Sequence, residues 1–153
     1  AALAVDLSAA YQLPLENVGS YSTFRAGAKL GNLGGYLRDT KYTLPMDFTV
    51  GAALDTFLSD AHEITVGTDL GYYFSPSAVR GFQMSLGAEY NLMQLVQLRG
   101  GYHYGEQRDY YPSYWTVGAG LRILHLRLDF AYLFAKKNTL LRNTYSISFG
   151  LDF

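Results

Sequence analysis

The 153 residues suffice for one domain of ordinary size, and a net charge of −1 supplies no basic field for nucleic acid. The absence of cysteine excludes disulfides and thiolate metal sites. Charged and aromatic residues each make up 16%, which is too little charge and too many rings for a disordered chain, and no apolar run reaches the ~18 residues of a membrane-spanning helix.

From the first residues onward the dominant period is two, the period of a strand. Ala2–Leu13, Thr23–Gly31 and Met46–Phe57 alternate first, followed by Glu63–Tyr73, Phe82–Tyr90 and Val96–Tyr104. Tyr114–Ile123, Leu126–Phe134 and Thr144–Phe153 complete a set of about nine predicted strands in a single domain, residues 1–153. Most approach ten residues. That exceeds the usual 5–6 of soluble strands and matches the length a tilted strand needs to cross a bilayer. The alternation has a constant chemistry. Trp115, Val117, Ala119, Leu121 and Ile123 face one way, and Thr116, Gly118, Gly120 and Arg122 the other. Leu126, Leu128, Phe130, Tyr132 and Phe134 likewise alternate with Arg127, Asp129, Ala131 and Leu133. Phe82, Met84, Leu86, Ala88 and Tyr90 alternate with Gln83, Ser85, Gly87 and Glu89.

A soluble sandwich also alternates, with its apolar face inside. Two features favour a transmembrane antiparallel β-barrel. The polar faces carry glycine and charges of both signs, and Arg99 with Glu89, and Arg122 and Arg127 with Asp129, are placed to pair inside a lumen. Aromatic residues sit near strand ends (Tyr90, Tyr102, Tyr104, Trp115, Tyr132, Phe134, Tyr145 and Phe153), the girdle position of outer-membrane barrels. Placing the C-terminus in the periplasm makes the connections Leu124-His125, Asn91–Leu95, Ser59–His62 and Pro14–Ser22 periplasmic. The outer connections Ala135–Asn143, Gly105–Ser113, Phe74–Gly81 and Asn32–Leu44 are longer, as extracellular loops of such barrels are. An odd strand count departs from the even numbers of bacterial barrels. With a chain that opens directly in a patterned segment, it predicts a C-terminal portion of a larger barrel.

The stretches LPMDFTVGAAL (Leu44–Leu54), MSLGAEYNL (Met84–Leu92), VQLRGGYHYGE (Val96–Glu106), WTVGAGLRILHLRLDFAYLF (Trp115–Phe134) and NTYSISFGLDF (Asn143–Phe153) follow one another in order. In that order they resemble outer-membrane proteins related to the fatty-acid transporter FadL. Within that class they look most like the PorV family of the type IX secretion system of Bacteroidetes. The resemblance covers about Asn32 to Phe153 and implies a fourteen-strand barrel in the outer membrane with long loops extracellular. It implies a non-enzymatic role without cofactor. The barrel would dock on a large translocon subunit and receive and shuttle secreted cargo proteins through its outer loops. The alternative is a FadL-like transporter of hydrophobic small molecules, which needs a continuous apolar pocket in the lumen. The resemblance also implies that Tyr145, Ile147, Phe149, Leu151 and the terminal Phe153 form the signal read by the barrel assembly machinery.

Candidate partner contacts are the loop residues Tyr36, Arg38, Tyr42, Arg108, Tyr110, Tyr111 and Tyr114, since rigid aromatic and arginine side chains anchor interfaces. KKNTLLRN (Lys136–Asn143) is basic and suits anionic lipopolysaccharide. His62, His103 and His125 have no metal-ligand spacing. His103 points to the lumen near the outer rim, where a hydrogen bond to a neighbour outweighs catalysis because no nucleophile–base–orienter set accompanies it. GNLGGYLRD (Gly31–Asp39) leads into a loop without a following helix, so its glycines relieve crowding and do not hold phosphate. The inward charges Asp6, Arg25, Lys29, Asp47, Asp55 and Asp69 are of mixed sign, which favours a paired plug over an ion-selective pore.

Overall fold

A computed structural model describes residues 1–16, 18–37, 43–106, 112–135 and 144–151. The nine expected strands are present: β1 (Ala2–Leu15), β2 (Tyr21–Tyr36), β3 (Asp47–Ser59), β4 (His62–Tyr73), β5 (Gly81–Leu92), β6 (Val96–Gly105), β7 (Tyr114–Ile123), β8 (Leu126–Ala135) and β9 (Thr144–Leu151). Each pairs antiparallel with its neighbour in sequence, giving one sheet in the order β1 to β9. The only helical turn among the described residues is a 3-10 turn at Ser77–Val79.

The sheet does not close. β1 and β9 are both edges, so in place of the expected barrel the nine strands form an open meander whose end strands are not paired to each other. The physical reason is parity. In an antiparallel meander of nine strands the first and last run in the same direction, and a β1–β9 ladder would have to be parallel.

A second correction concerns Gly31–Asp39. Its first part is strand, since β2 continues to Tyr36 and pairs there with Ala2. The crossing is tight. Gly34 has φ +155°, and a Cβ there would lie 2.0 Å from the carbonyl oxygen of Leu3, so only glycine lets the two backbones meet. Just below, the register of β1 shifts between Val5 and Leu7. The intervening Asp6 fills the gap by accepting a hydrogen bond of 2.7 Å from the backbone N–H of Asn32, itself at φ 55°. The ladder is interrupted only at Asp6 and resumes on either side of the bulge.

The turns at one end of the sheet are short. β3–β4 turns through Asp60-Ala61, β5–β6 through Met93–Leu95 and β7–β8 through Leu124-His125. Met93, Gln94 and Leu124 adopt positive φ, which these tight reversals require. Two backbone bonds lace the turns to neighbouring hairpins: Met93 N–H to Ala61 O at 2.7 Å, and Arg122 N–H to Leu95 O at 2.7 Å.

Burial in this sheet is inverted relative to a soluble one. Among the described residues no apolar side chain is buried; the buried polar ones are Ser22, Thr23 and Asp47. Along β7 the residues of the Trp115 face are exposed, while those of the Thr116 face are sheltered. From β5 to β7 the sheet therefore presents leucine, valine and aromatic side chains on its more exposed face and partly shelters the opposite face, with Ser85, Glu89, Arg99 and Gly120.

Candidate functional site: an apolar outer face and a paired inner face

The outer face follows from register. Leu98, Ala119, Phe130 and Ile147 lie side by side across β6 to β9, flanked by Leu121, Leu128 and Phe149. Tyr145, Ile147, Phe149 and Leu151 of the expected assembly signal all lie on this exposed face, each more than half exposed. Phe153 lies outside the described residues. Toward the long-loop end aromatic rings gather on the same face. Tyr102 packs on Trp115 with centroids 4.5 Å apart, Tyr132 on Phe134 at 4.4 Å, and Phe82 on Tyr104 at 6.4 Å. At the short-turn end Tyr90 meets His62, its hydroxyl 2.6 Å from Nδ1.

The inner face carries the charges, and they are paired across strands. Arg25 on β2 meets Asp55 on β3 at 2.6 Å, and Asp55 also accepts a bond of 2.8 Å from the Thr65 hydroxyl on β4. Lys29 approaches Asp6 at 3.9 Å. On the other half of the sheet Arg99 is the hub. Its Nε donates to Glu89 at 2.6 Å, one Nη to Asp129 at 2.9 Å and the other to Gln97 at 2.5 Å. Asp129 uses its second oxygen to accept from Arg127 at 3.0 Å. The expected Arg99–Glu89 and Arg127–Asp129 pairs therefore form. Arg122 does not join them. It faces Arg127 directly, whereas Asp129 lies opposite Gly120, two positions along, with both oxygens already engaged.

Arg99 on β6 reaches β8 only because β7 contributes no side chain between them. Gly118 is opposite Arg99 and Gly120 opposite Gln97. A Cβ on Gly120 would lie 2.8 Å from Asp129 Oδ1 and 2.9 Å from Gln97 Oε1. This bridge over a glycine pair was not read from the sequence, where the signal is the spacing Gly118-Ala119-Gly120 beside two inward arginine-bearing strands.

His103 points to the inner face as expected. Its Nδ1 lies 3.1 Å from the Ser85 hydroxyl, and its ring stacks on Tyr114 at 4.8 Å. These residues line a hollow of about 480 Å³ whose walls also include Asp69, Glu89, Arg99 and Thr116. A second hollow of about 560 Å³ lies over β1 to β4 between Arg25, Lys29 and Asp69. Neither is a continuous apolar pocket. Glu106, at the rim, instead accepts a bond of 2.8 Å from the backbone N–H of Phe82.

Among the candidate partner contacts, Tyr36 ends β2 and is exposed, while Tyr114 begins β7 on the inner face against His103. Arg38, Tyr42, Arg108, Tyr110 and Tyr111 lie outside the described residues, as does the basic stretch 136–143. No cluster of histidine, aspartate and glutamate suited to a metal ion occurs among the described residues. No protein-family model matches the chain, and no curated protein matches its sequence.

Proposed function

We propose that this chain forms most of the wall of an outer-membrane β-barrel, with its exposed apolar face in lipid and its ion-paired face in the lumen. The observation that carries the reading is the inverted burial: long strands, no buried apolar side chain among the described residues, and cross-strand ion pairs on the face opposite the apolar one. In water such a sheet exposes contiguous apolar surface far larger than soluble monomers tolerate. In lipid the same face is solvated, and the backbone is satisfied by the ladder. The two open edges then need partners, since unpaired backbone groups are costly in hydrocarbon. Copies inserted in the same orientation offer only parallel edge pairs. An antiparallel closure takes an odd number of further strands between β9 and β1, and the fourteen-strand barrel of the resemblance supplies five.

Within that barrel we propose a docking role in protein secretion, with outer loops contacting a large translocon subunit and secreted cargo. Transport of hydrophobic small molecules is less well supported, because charged side chains interrupt the small and apolar lining of both hollows: Asp69, Glu89 and Arg99 in one, Arg25, Lys29 and Asp69 in the other.

These 153 residues contain no cysteine, so a single introduced one marks its own position in this segment. Single substitutions Phe130→Cys and Phe149→Cys on one face, and Thr116→Cys and Ser148→Cys on the other, are probed in native membranes. Under the proposal the first two resist a membrane-impermeant maleimide and react with a lipid-soluble one. Efficient labelling of Phe130→Cys by the impermeant reagent overturns the membrane reading. Purification from native membranes without a large partner overturns the docking role alone.

A further inference from the structure

Among the described residues, the inner face holds a local excess of positive charge at one place. Around the Arg99 hub three guanidinium groups, Arg99, Arg122 and Arg127, share two carboxylates, Glu89 and Asp129. Both carboxylates are committed: Glu89 to Arg99, and Asp129 to Arg99 and Arg127. Arg122 and Arg127 are direct cross-strand neighbours on β7 and β8, the arrangement in which like charges repel. Arg122 has no side-chain partner among the described residues, and its Nε–H is also shielded from solvent. A donor without water or partner is an unmet cost that native sites seldom carry without cause. Its backbone is fixed, because its N–H bonds to Leu95 O at 2.7 Å in the adjoining turn. Beside Arg127, β9 places Gly150, which contributes no side chain.

We propose that Arg122 and Arg127 form a receptor for an oxyanion, a carboxylate or a phosphate, at the short-turn end of the inner face. Guanidinium groups bind such anions through paired N–H donors in one plane. Rotation of the Arg122 side chain off the wall onto the anion supplies its Nε–H with an acceptor. The same anion screens the repulsion between the two arginines. Arg127 keeps its Nε bond to Asp129 and has its terminal nitrogens for the ligand. The site does not depend on what covers the apolar face, so its failure and that of the membrane reading are separable.

The test follows thermal unfolding of the whole protein, extracted from its native membranes in mild detergent, by intrinsic tryptophan fluorescence, to which Trp115 contributes. Chloride is replaced stepwise by inorganic phosphate, and separately by acetate, at constant ionic strength. A saturable rise in Tm of about 2–4 °C with at least one anion is expected. The saturable rise is lost in Arg122→Gln and in Arg127→Gln and kept in Arg80→Gln, which lies on a long connection. Saturation at lower phosphate than acetate identifies a tetrahedral ligand, and the reverse order a carboxylate. No saturable rise in the wild type, or an equal rise in Arg122→Gln, overturns the proposal. Because the wild-type titration alone can refute it, the test survives poor folding of either variant.

Discussion

Phe130→Arg tests the lipid-facing assignment by magnitude as well as by sign. β8 has ten residues; at about 3.4 Å each and a tilt of about 40°, it rises roughly 24 Å, close to the ~25 Å apolar band of a barrel. Phe130 lies four residues after Leu126, which places it roughly 10 Å above the short-turn end and near mid-band. Arginine at the midplane of a barrel costs about 2–4 kcal/mol, and near an interface about 0–1 kcal/mol. Phe130→Arg is therefore expected to lower the folding equilibrium constant by about 30- to 1,000-fold, and Leu126→Arg by at most about fivefold. Both side chains are similarly exposed, 45% and 47%, so exposure alone predicts no difference between them. The assay is reversible denaturant unfolding in phospholipid vesicles, followed by Trp115 fluorescence, for the protein with its complete set of strands. A solvated face would tolerate either change within about 0.5 kcal/mol. Equal effects at the two depths refute the reasoning.

Three further outcomes concern the inner face and the bend. Asp129→Asn removes the negative charge and one of the two acceptor oxygens that Arg99 and Arg127 share, setting an amide donor against a guanidinium; it is expected to destabilise the sheet by about 1.5–3 kcal/mol, read as a lower denaturation midpoint. Gly120→Val drives a side chain into Asp129 and Gln97 and should cost about 1–3 kcal/mol. In the double variant with Asp129→Asn the two losses should sum to less than their parts, because both act on one network. Gly34→Ala places a Cβ against the Leu3 carbonyl. It is expected to raise hydrogen exchange at the amides of residues 2–5 while leaving β5 to β8 unchanged.

The strand count, the faces and most strand boundaries were legible because a period of two leaves its mark wherever one face differs from the other. Tyr114–Ile123 has the same limits in sequence and structure. The Gly31–Tyr36 stretch was not legible, because glycine and asparagine signal a turn and only the partner strand shows that they serve a bulge within a ladder. Arg25–Asp55 and Arg99–Glu89 follow from neighbouring strands in register. The Arg99–Asp129 bridge skips a strand, and pattern reading does not measure reach across a glycine pair. The isolation of Arg122 was likewise hidden, since composition alone offers Asp129 to every nearby arginine.

The absence of any buried apolar side chain among the described residues has a thermodynamic consequence. For an ordinary domain the heat capacity of unfolding comes mainly from apolar groups that meet water only when the chain opens. Here those groups already stand at the surface of the sheet. The folded and unfolded chains in water would therefore differ less in apolar hydration than those of a domain with a buried core, and the curvature of stability with temperature would be shallower. Under the proposed lipid-facing assignment, the remaining entropic gain belongs to the step that removes this outer surface from water.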